Sequence, residues 1–516
     1  MKARGGEREP EARTDYLRAR AAYRRKMRET KIILQGNCGE RACGGYATDT
    51  AGAMFGVLRA LCPDDDPAGD SGYHRRVRVA ATLVPPSGRL LVIPKGNGKP
   101  VTDPNAYRPI TLLRVLGKIL ERMFLELAPG LRDGISGNQH GFVSRRSTAT
   151  ALHDILGVSR GSAAKYVQLI FLDISGLSTT RGGPWVGFLV GTEAVWKKST
   201  MGCPQGSVLG PALWDVLLDD LLRLPYPAGV KTVAYADDVT VLVEASSRAE
   251  IEQRSAQALG LMQDWGRRNR LAFAPAKSCT MTVKGRLRRP PIVRMGGDSI
   301  RTVSAATVLG LVLDEHLSFA QHAQSIGERA SKSFGKVSRV SAASWGMRCS
   351  SLKTIYLATY LTTLTYVAGC WYERATLHVV RSALLKTQRP ALTLLTKAYR
   401  TVSTAALPVL AGVLPAHMEV VIAGKTDRER EGRTAAEVRV FRRRAEEEMV
   451  ALWQKDWDEE KNGRELYRYF PDVSARLSFD WVEPDYQTSQ LLTGHGCFRK
   501  RLYELGLNET SVCLCG

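Results

Sequence analysis

Two adjacent aspartates, Asp237 and Asp238, interrupt the apolar run "TVAYADDVTVLV" (232–243), and a third, Asp173, closes the apolar core of "YVQLIFLDIS" (166–175). Like charges side by side repel, so this corner needs either free exposure to water or a counter-charge. Carboxylates delivered by the end of one buried strand and by the turn of a neighbouring hairpin can converge on a point. Hard divalent cations such as Mg²⁺ take oxygen ligands of that kind. Two such ions, roughly 3.5–4 Å apart, can activate an attacking oxygen and stabilise a leaving one in phosphoryl transfer. The dipeptide by itself fits a solvated Asp-Asp turn equally well, because turns favour Asp for backbone reasons.

The surrounding pattern supplies elements able to position these groups. "YVQLIFL" has the length and β-branched content of a buried strand, and Val230 to Val243 reads as a hairpin turning at Asp237-Asp238. Val208 to Leu222 reads as a helix. "LLVIPKGNGKP" passes from a strand into a Gly/Asn turn and basic loop, and a helix with 3/4 apolar spacing is expected on Leu112, Leu116, Ile119, Leu120, Met123 and Leu127. After Ala245 the pattern is mostly helical. Thr426 to Asp458 is highly charged, with Val438, Phe441, Ala445, Met449 and Leu452 on one stripe. The expected class is α+β.

Composition bounds the partners. Lys and Arg number 73 against 51 acidic residues in 516, a net charge of +22, which suits a nucleic-acid partner, with an anionic membrane or ribosomal surface as the alternative. Ten scattered cysteines argue against a disulfide scaffold and for a reducing compartment. The first residues lack the apolar segment of a signal peptide, and Ile355 to Tyr372 reads as a buried helix rather than a membrane span. Residues 1–79 read as a basic extension and linker.

In order along the chain, "IPKGNGKPVTDPNAYRPITLL", "NQHGFVSRRST", "FLDIS", "MGCPQGSVLGP", "YADD", "NRLAFAPAKS" and "VLGLVLDEHLSFAQH" resemble the motifs of the reverse transcriptases of non-LTR (LINE-type) retrotransposons, especially insect rDNA-inserting elements. The resemblance implies a right-hand polymerase: fingers over 80–150, a palm with a split β-α-β sheet over 151–325, a helical thumb over 326–425 and a charged helical tail over 426–516. It implies RNA-directed DNA synthesis from an RNA template, a DNA primer or target DNA, and dNTPs, with no membrane partner, in nuclear and cytoplasmic ribonucleoprotein. Asp173 and Asp237 would hold two Mg²⁺ ions (or Mn²⁺), with Asp238 supporting. Lys95 and Arg108 would meet the triphosphate, Gln205, Gly206, Ser207 and Tyr235 would form the substrate pocket, and Lys277 would protonate the leaving pyrophosphate. A catalytically inactive relic that still binds nucleic acid is the competing reading; an RNA-copying RNA polymerase or group II-type maturase fits the metal motifs but not the flanking ones.

Several features depart from the pattern. The family's helical segment after the first metal motif is missing between Asp173 and Met201, where "VGFLV", Gly191-Thr192 and "EAVWKKS" read as a hairpin. Without a crossover, exposed core or displacement of Asp173 is expected. The position of the family's sugar-checking aromatic falls at Ser178, and Val143 stands where arginine is common. No endonuclease-like segment precedes residue 80. Cys513 and Cys515 are half of a four-ligand zinc site, to which His495 and Cys497 could add, as Cys38 and Cys43 could form another; zinc is not expected.

Overall fold

The computed structural model describes residues 87–94, 107–113, 115–127, 134–175, 185–190, 193–198, 206–341, 346–430, 432–479, 482–496, 498–504 and 506–512. Strand β1 (Ser87–Pro94) pairs antiparallel with β2 (Tyr107–Leu113), and α1 (Val115–Leu127) follows. The expected helix therefore starts after Leu112, which lies in an unforeseen strand. Pro109 masks that strand in the sequence, yet β2 is an edge strand, where proline is tolerated. Helix α2 (Thr148–Gly161) begins with a capping box between Ser147 and Thr150 and buries Ala151, Leu152, Ile155 and Leu156.

Strand β3 (Tyr166–Leu172) is the buried strand its unbroken apolar run predicts. Its one interior amide, Gln168, is satisfied: Nε2 donates to Thr280 Oγ1 at 2.6 Å and Oε1 accepts from Thr282 Oγ1 at 2.5 Å. A two-residue strand, β4 (Ile174–Ser175), continues beyond Asp173. The anticipated hairpin forms as β5 (Trp185–Val190) and β6 (Glu193–Lys198), and β5 joins β1 in parallel to give a sheet in the order β2-β1-β5-β6.

Next come α3 (Gly210–Leu222), the hairpin β7 (Val230–Tyr235) and β8 (Asp238–Ala245), α4 (Arg248–Asn269), β9 (Ala272–Phe273) and β10 (Cys279–Lys284). The hairpin turns at Ala236-Asp237, one residue earlier than expected: Tyr235 pairs with Asp238, which opens the return strand. The chain beyond Ala245 is also less helical than its pattern suggests. Strands β11 (Val293–Met295) and β12 (Asp298–Thr302) close around Gly296-Gly297, both at positive φ, and β13 (Ala305–Val308) pairs with β14 (Leu311–Asp314).

The main sheet runs β11-β12-β10-β3-β8-β7. Within it, β3-α3-β7-β8-α4-β10 is a β-α-β-β-α-β unit. This corrects the expectation of exposed core or a displaced Asp173. Both neighbours of β3 pair with it antiparallel, and the link to its parallel counterpart β7 carries α3, so the shortened connection removes no crossover that the sheet needs. Ile170 and Leu172 are 0% and 3% exposed, under α3 and α4 residues such as Leu218, Leu221, Met262 and Trp265.

The opposite face of β3, with Val167 and Leu169, shares one core with α2, α5 (Ala320–Gly335), α6 (Cys349–Ile355), α7 (His378–Thr396), α8 (Ala406–Ala411), α9 (Ala416–Arg428) and α10 (Ala435–Glu459). The stretch read as a buried helix is buried on one side only and broken: Tyr356, Tyr360 and Leu364 are buried while Leu357 is exposed, and a π-helical turn at Tyr356–Leu361 and short 3₁₀ turns divide it. No helix among the described residues is long and apolar enough to cross a membrane. Helix α10 docks through Ala445, Met449, Trp453 and Trp457, so its stripe runs one residue past Leu452, which is 49% exposed. Trp457 Nε1 donates to the Phe470 carbonyl at 2.9 Å. Trp457→Ala is expected to cost about 3–5 kcal/mol in chemical denaturation, whereas Leu452→Ala should cost about 0.5 kcal/mol or less.

Candidate active site

Register brings the first two carboxylates together. Leu172, the last residue of β3, pairs with Val239 on β8; Asp173 follows the one and Asp238 precedes the other, so strand alternation sets both on the same face. Asp237 occupies the turn beside them. Withdrawal from water, then the charges of Asp237 and Asp173, push the Asp238 carboxyl up to about 6. All three causes act in one direction. A carboxyl whose pKa rises on folding holds its proton more tightly in the folded state. Its contribution to stability is therefore greatest at low pH and is lost as pH rises from about 4 to about 6.

The end of β3 is clipped in place. Ala274 N donates to the Asp173 carbonyl at 2.9 Å, Asp173 N donates to Ser278 Oγ at 3.2 Å, and that hydroxyl donates to the Ala274 carbonyl at 2.8 Å. The same turn carries Lys277, whose Nζ lies 3.9 Å from Asp173 Oδ1. Both side chains are solvated enough that their attraction adds little to stability. Its placement beside the carboxylates is the informative fact.

A brace that sequence reasoning missed supports the turn from outside. Residues 138–141 run along the free edge of β7: Ala234 N donates to the Asn138 carbonyl and His140 N to the Ala234 carbonyl, both at 2.8 Å. Gln139 is fully buried and donates to Asp215 Oδ1 at 3.0 Å, while Ser136 N donates to Asp219 Oδ1 at 2.7 Å. Helix α3 thus offers two aspartates one turn apart to this loop. His140 Nδ1 meets Thr150 Oγ1 at 2.8 Å, and burial lowers its pKa. Gly141 sits against Ala236, itself in the left-handed region at φ 55°; a Cβ there would lie 2.2 Å from Ala236 N. The sequence signal was a glycine between two large residues in "HGF".

The predicted substrate block is braced differently from expectation. Ser207 is buried, donates to Glu121 Oε1 at 3.0 Å and accepts from Leu209 N and Gly210 N at 3.1 Å, while Val208 N donates to Glu121 Oε2 at 2.7 Å. Its hydroxyl holds the entry to α3 against α1. Gly206, exposed at φ 112°, keeps an open backbone. Among the described side chains of α1, Glu121 and Leu125 are buried, whereas Ile119, Met123 and Leu127 of the expected apolar stripe are exposed. Tyr235 is half-buried at the end of β7. Lys95, Gln205, Ser178, Cys38, Cys43, Cys497, Cys513 and Cys515 lie outside the described residues, and Arg108 is placed only through its β2 backbone, opposite Ile93. His495 Nδ1 faces the Thr493 carbonyl at 2.8 Å.

Asp173, Asp237 and Asp238 offer hard oxygen donors fit for Mg²⁺. Among the described residues no trio of His, Cys, Asp or Glu stands in metal-ligating geometry, these three included. Their fit rests on donor chemistry; uncompensated carboxylates repel, and Mg²⁺ fills its shell with waters and substrate phosphates.

Comparison with known proteins shows the family. Residues 184–313, which include Asp237, Asp238 and Lys277, match the family "Reverse transcriptase (RNA-dependent DNA polymerase)". The chain is 31% identical over 83% of its length to a "Putative 115 kDa protein in type-1 retrotransposable element R1DM" of Drosophila melanogaster, and it covers 46% of that relative. It is 30% identical to a "Retrovirus-related Pol polyprotein from type-1 retrotransposable element R1 4" of Nasonia vitripennis, over 54% of this chain and 79% of the relative. An "RNA-directed DNA polymerase from mobile element jockey" of Drosophila funebris is 26% identical over 49% of the chain and 31% of the relative. The chain belongs to the reverse transcriptase family of the insect non-LTR elements, on the side of the type-1 (R1) retrotransposable elements. It spans about half the length of the first of these relatives.

Gly141→Ala should force the loop or the Ala236 turn to shift. The expected outcome is a stability loss of about 1–3 kcal/mol, with more Mg²⁺ required for half-maximal thermal stabilisation, measured by calorimetry across a Mg²⁺ titration.

Proposed function

We propose that this chain is an RNA-directed DNA polymerase that extends a DNA primer 3′-hydroxyl on an RNA template by two-metal nucleotidyl transfer. The observation that carries the reading is the β3–β8 register, which sets Asp173 and Asp238 on one face at the adjoining strand ends, with Asp237 in the turn and Lys277 Nζ 3.9 Å from Asp173. In this reading the β-α-β-β-α-β unit is the palm within 151–325, β1 and β2 belong to fingers over 80–150, the helices of 326–425 form the thumb, and 426–516 is a helical tail on a basic extension at 1–79.

Asp173 and Asp237 would hold two Mg²⁺ ions, or Mn²⁺ in their place, with Asp238 in support; such ions would supply charge neutralisation and a lowered pKa for the attacking hydroxyl. The primer 3′-hydroxyl loses its proton to solvent as its oxygen bonds to the α-phosphorus of the dNTP, the bond to the bridging oxygen breaks, and Lys277 donates the proton that leaves with pyrophosphate. Lys95 and Arg108 serve the triphosphate as phosphate-binding cations. Gln205, Gly206 and Tyr235 border the nucleotide, and Ser207 acts through its bond to Glu121. The protein works within nuclear and cytoplasmic ribonucleoprotein, on RNA and target DNA. The competing reading, a relic that only binds nucleic acid, predicts binding without extension.

The test is Mg²⁺-dependent extension of a DNA primer on an RNA template by the purified chain. Asp173→Ala and Asp237→Ala should each abolish it while leaving hybrid binding intact; extension that survives either substitution overturns the assignment. At limiting Mg²⁺ the rate should rise with pH as Asp238, at about 6 before metal binds, loses its proton. That limb should move to lower pH as Mg²⁺ increases and vanish in Asp238→Asn.

A further inference from the structure

The face of the main sheet that carries Asp173 does not end at β10. Phe171, two residues before Asp173, pairs with Cys279, and Cys279 pairs with Arg301 on β12. Paired residues share a face, so Asp238, Asp173, Phe171, Cys279 and Arg301 project on one side. Two strand spacings separate Arg301 from Phe171, about 10 Å. The cation sits close enough to Cys279 to oppose the upward shift that burial gives its thiol. On the last strand Arg294, opposite Ser299, points the same way. The reason is alternation: Val293, Met295 and Ile300 are buried against the α4 side of the sheet, which leaves Arg294, Ser299 and Arg301 exposed on the other. Ile292 N, donating to Glu252 Oε1 at 2.8 Å, ties this hairpin to α4.

The charge of this edge is one-sided. Between 284 and 301 the chain carries Lys284, Arg286, Arg288, Arg289, Arg294 and Arg301 against Asp298 alone. None of the five arginines pairs with a carboxylate among the described residues, and all five are exposed. Several arginines elsewhere are neutralised locally, as in Arg248–Glu252, Arg254–Glu250, Arg428–Glu373 and Arg433–Glu429. Exposed guanidinium groups left unpaired on a rigid sheet suit the evenly spaced phosphates of a nucleic-acid strand, which they can grip bidentately.

We infer that Arg294 and Arg301, on the β11–β12 hairpin, form a phosphate-binding track for the RNA–DNA hybrid whose primer end lies at Asp173, and that the loop bearing Arg286, Arg288 and Arg289 extends it along the sheet edge. This rests on the polymerase reading for the identity of the strand, while the track itself follows from register and charge. It carries no base specificity, because phosphate contacts report none.

The test measures binding of a fluorescent primer annealed to an RNA template, across a salt series and without dNTP. Arg294→Gln combined with Arg301→Gln should weaken binding and lower the salt slope by about one per lost phosphate contact. Arg294→Lys with Arg301→Lys should restore most of the slope, which a merely misfolded hairpin would not do. Arg267→Gln with Arg268→Gln, an equal charge change on α4, is the control and should leave the slope unchanged. An unchanged slope in the hairpin variant, or an equal loss in the control, overturns the track. So does a raised dNTP KM with hybrid binding unchanged, which would make these arginines a triphosphate site. Binding needs no catalysis: a chain that binds with the expected slope yet fails to extend refutes the polymerase reading and leaves the track standing.

Discussion

The site depends on the register of β3 against β8. A slip of one residue would turn every side chain of β3 to the opposite face, burying Asp173 among Leu218, Met262 and Trp265. Burying a lone carboxylate in such a core is costly enough to forbid that slip. The apolar residues on the two faces of β3 therefore do for Asp173 what no local contact could do. The hydrogen bonds of Ala274 and Ser278 then hold the strand end after the register has been set.

Aspartates of identical chemistry are sorted here by environment alone. Asp215, Asp219 and Asp220 on α3 accept from Gln139, Ser136 N and Trp265 Nε1, respectively, and serve the fold. Asp238 and Asp237 stand at and beside the turn that Gln139 and Gly141 brace. The carboxylates of α3 thus act on Asp237 and Asp238 through a single loop. Rigidity at the turn comes from helix to loop to strand edge, with Ala236 held at φ 55° at its tip.

Much of this was legible in sequence because it is written as local periodicity. The unbroken run of β3, the hairpin around "YADD", the helix from Gly210 and the β5–β6 hairpin all carry their own signal. What was not legible depends on partners distant in the chain. Pro109 hid an edge strand, and the short β11–β12 and β13–β14 hairpins are too brief to show a period. The stripe of α10 was misread by one residue because Trp453, rather than Leu452, meets the core. Nothing in the neighbourhood of Ser207 announces its bond to Glu121, 86 positions away. The shortened stretch after Asp173 suggested a broken palm only under the assumption that β3 needs a parallel neighbour; its true neighbours are antiparallel.

The electrostatics of the aspartates separate the two functional readings on physical grounds. Folding raises the Asp238 pKa to about 6, so at neutral pH the fold carries charged carboxylates that oppose it. A protein whose role is only to grip phosphate gains nothing from negative charge at the end of its basic sheet face; it would bind more tightly with neutral residues there. Divalent cations change that balance, because they neutralise the carboxylates and present positive charge to the same phosphates. The juxtaposition of Asp173, Asp237 and Asp238 with a flanking cationic face is thus coherent for a chain that binds nucleic acid and metal together, and is a liability for one that binds nucleic acid alone.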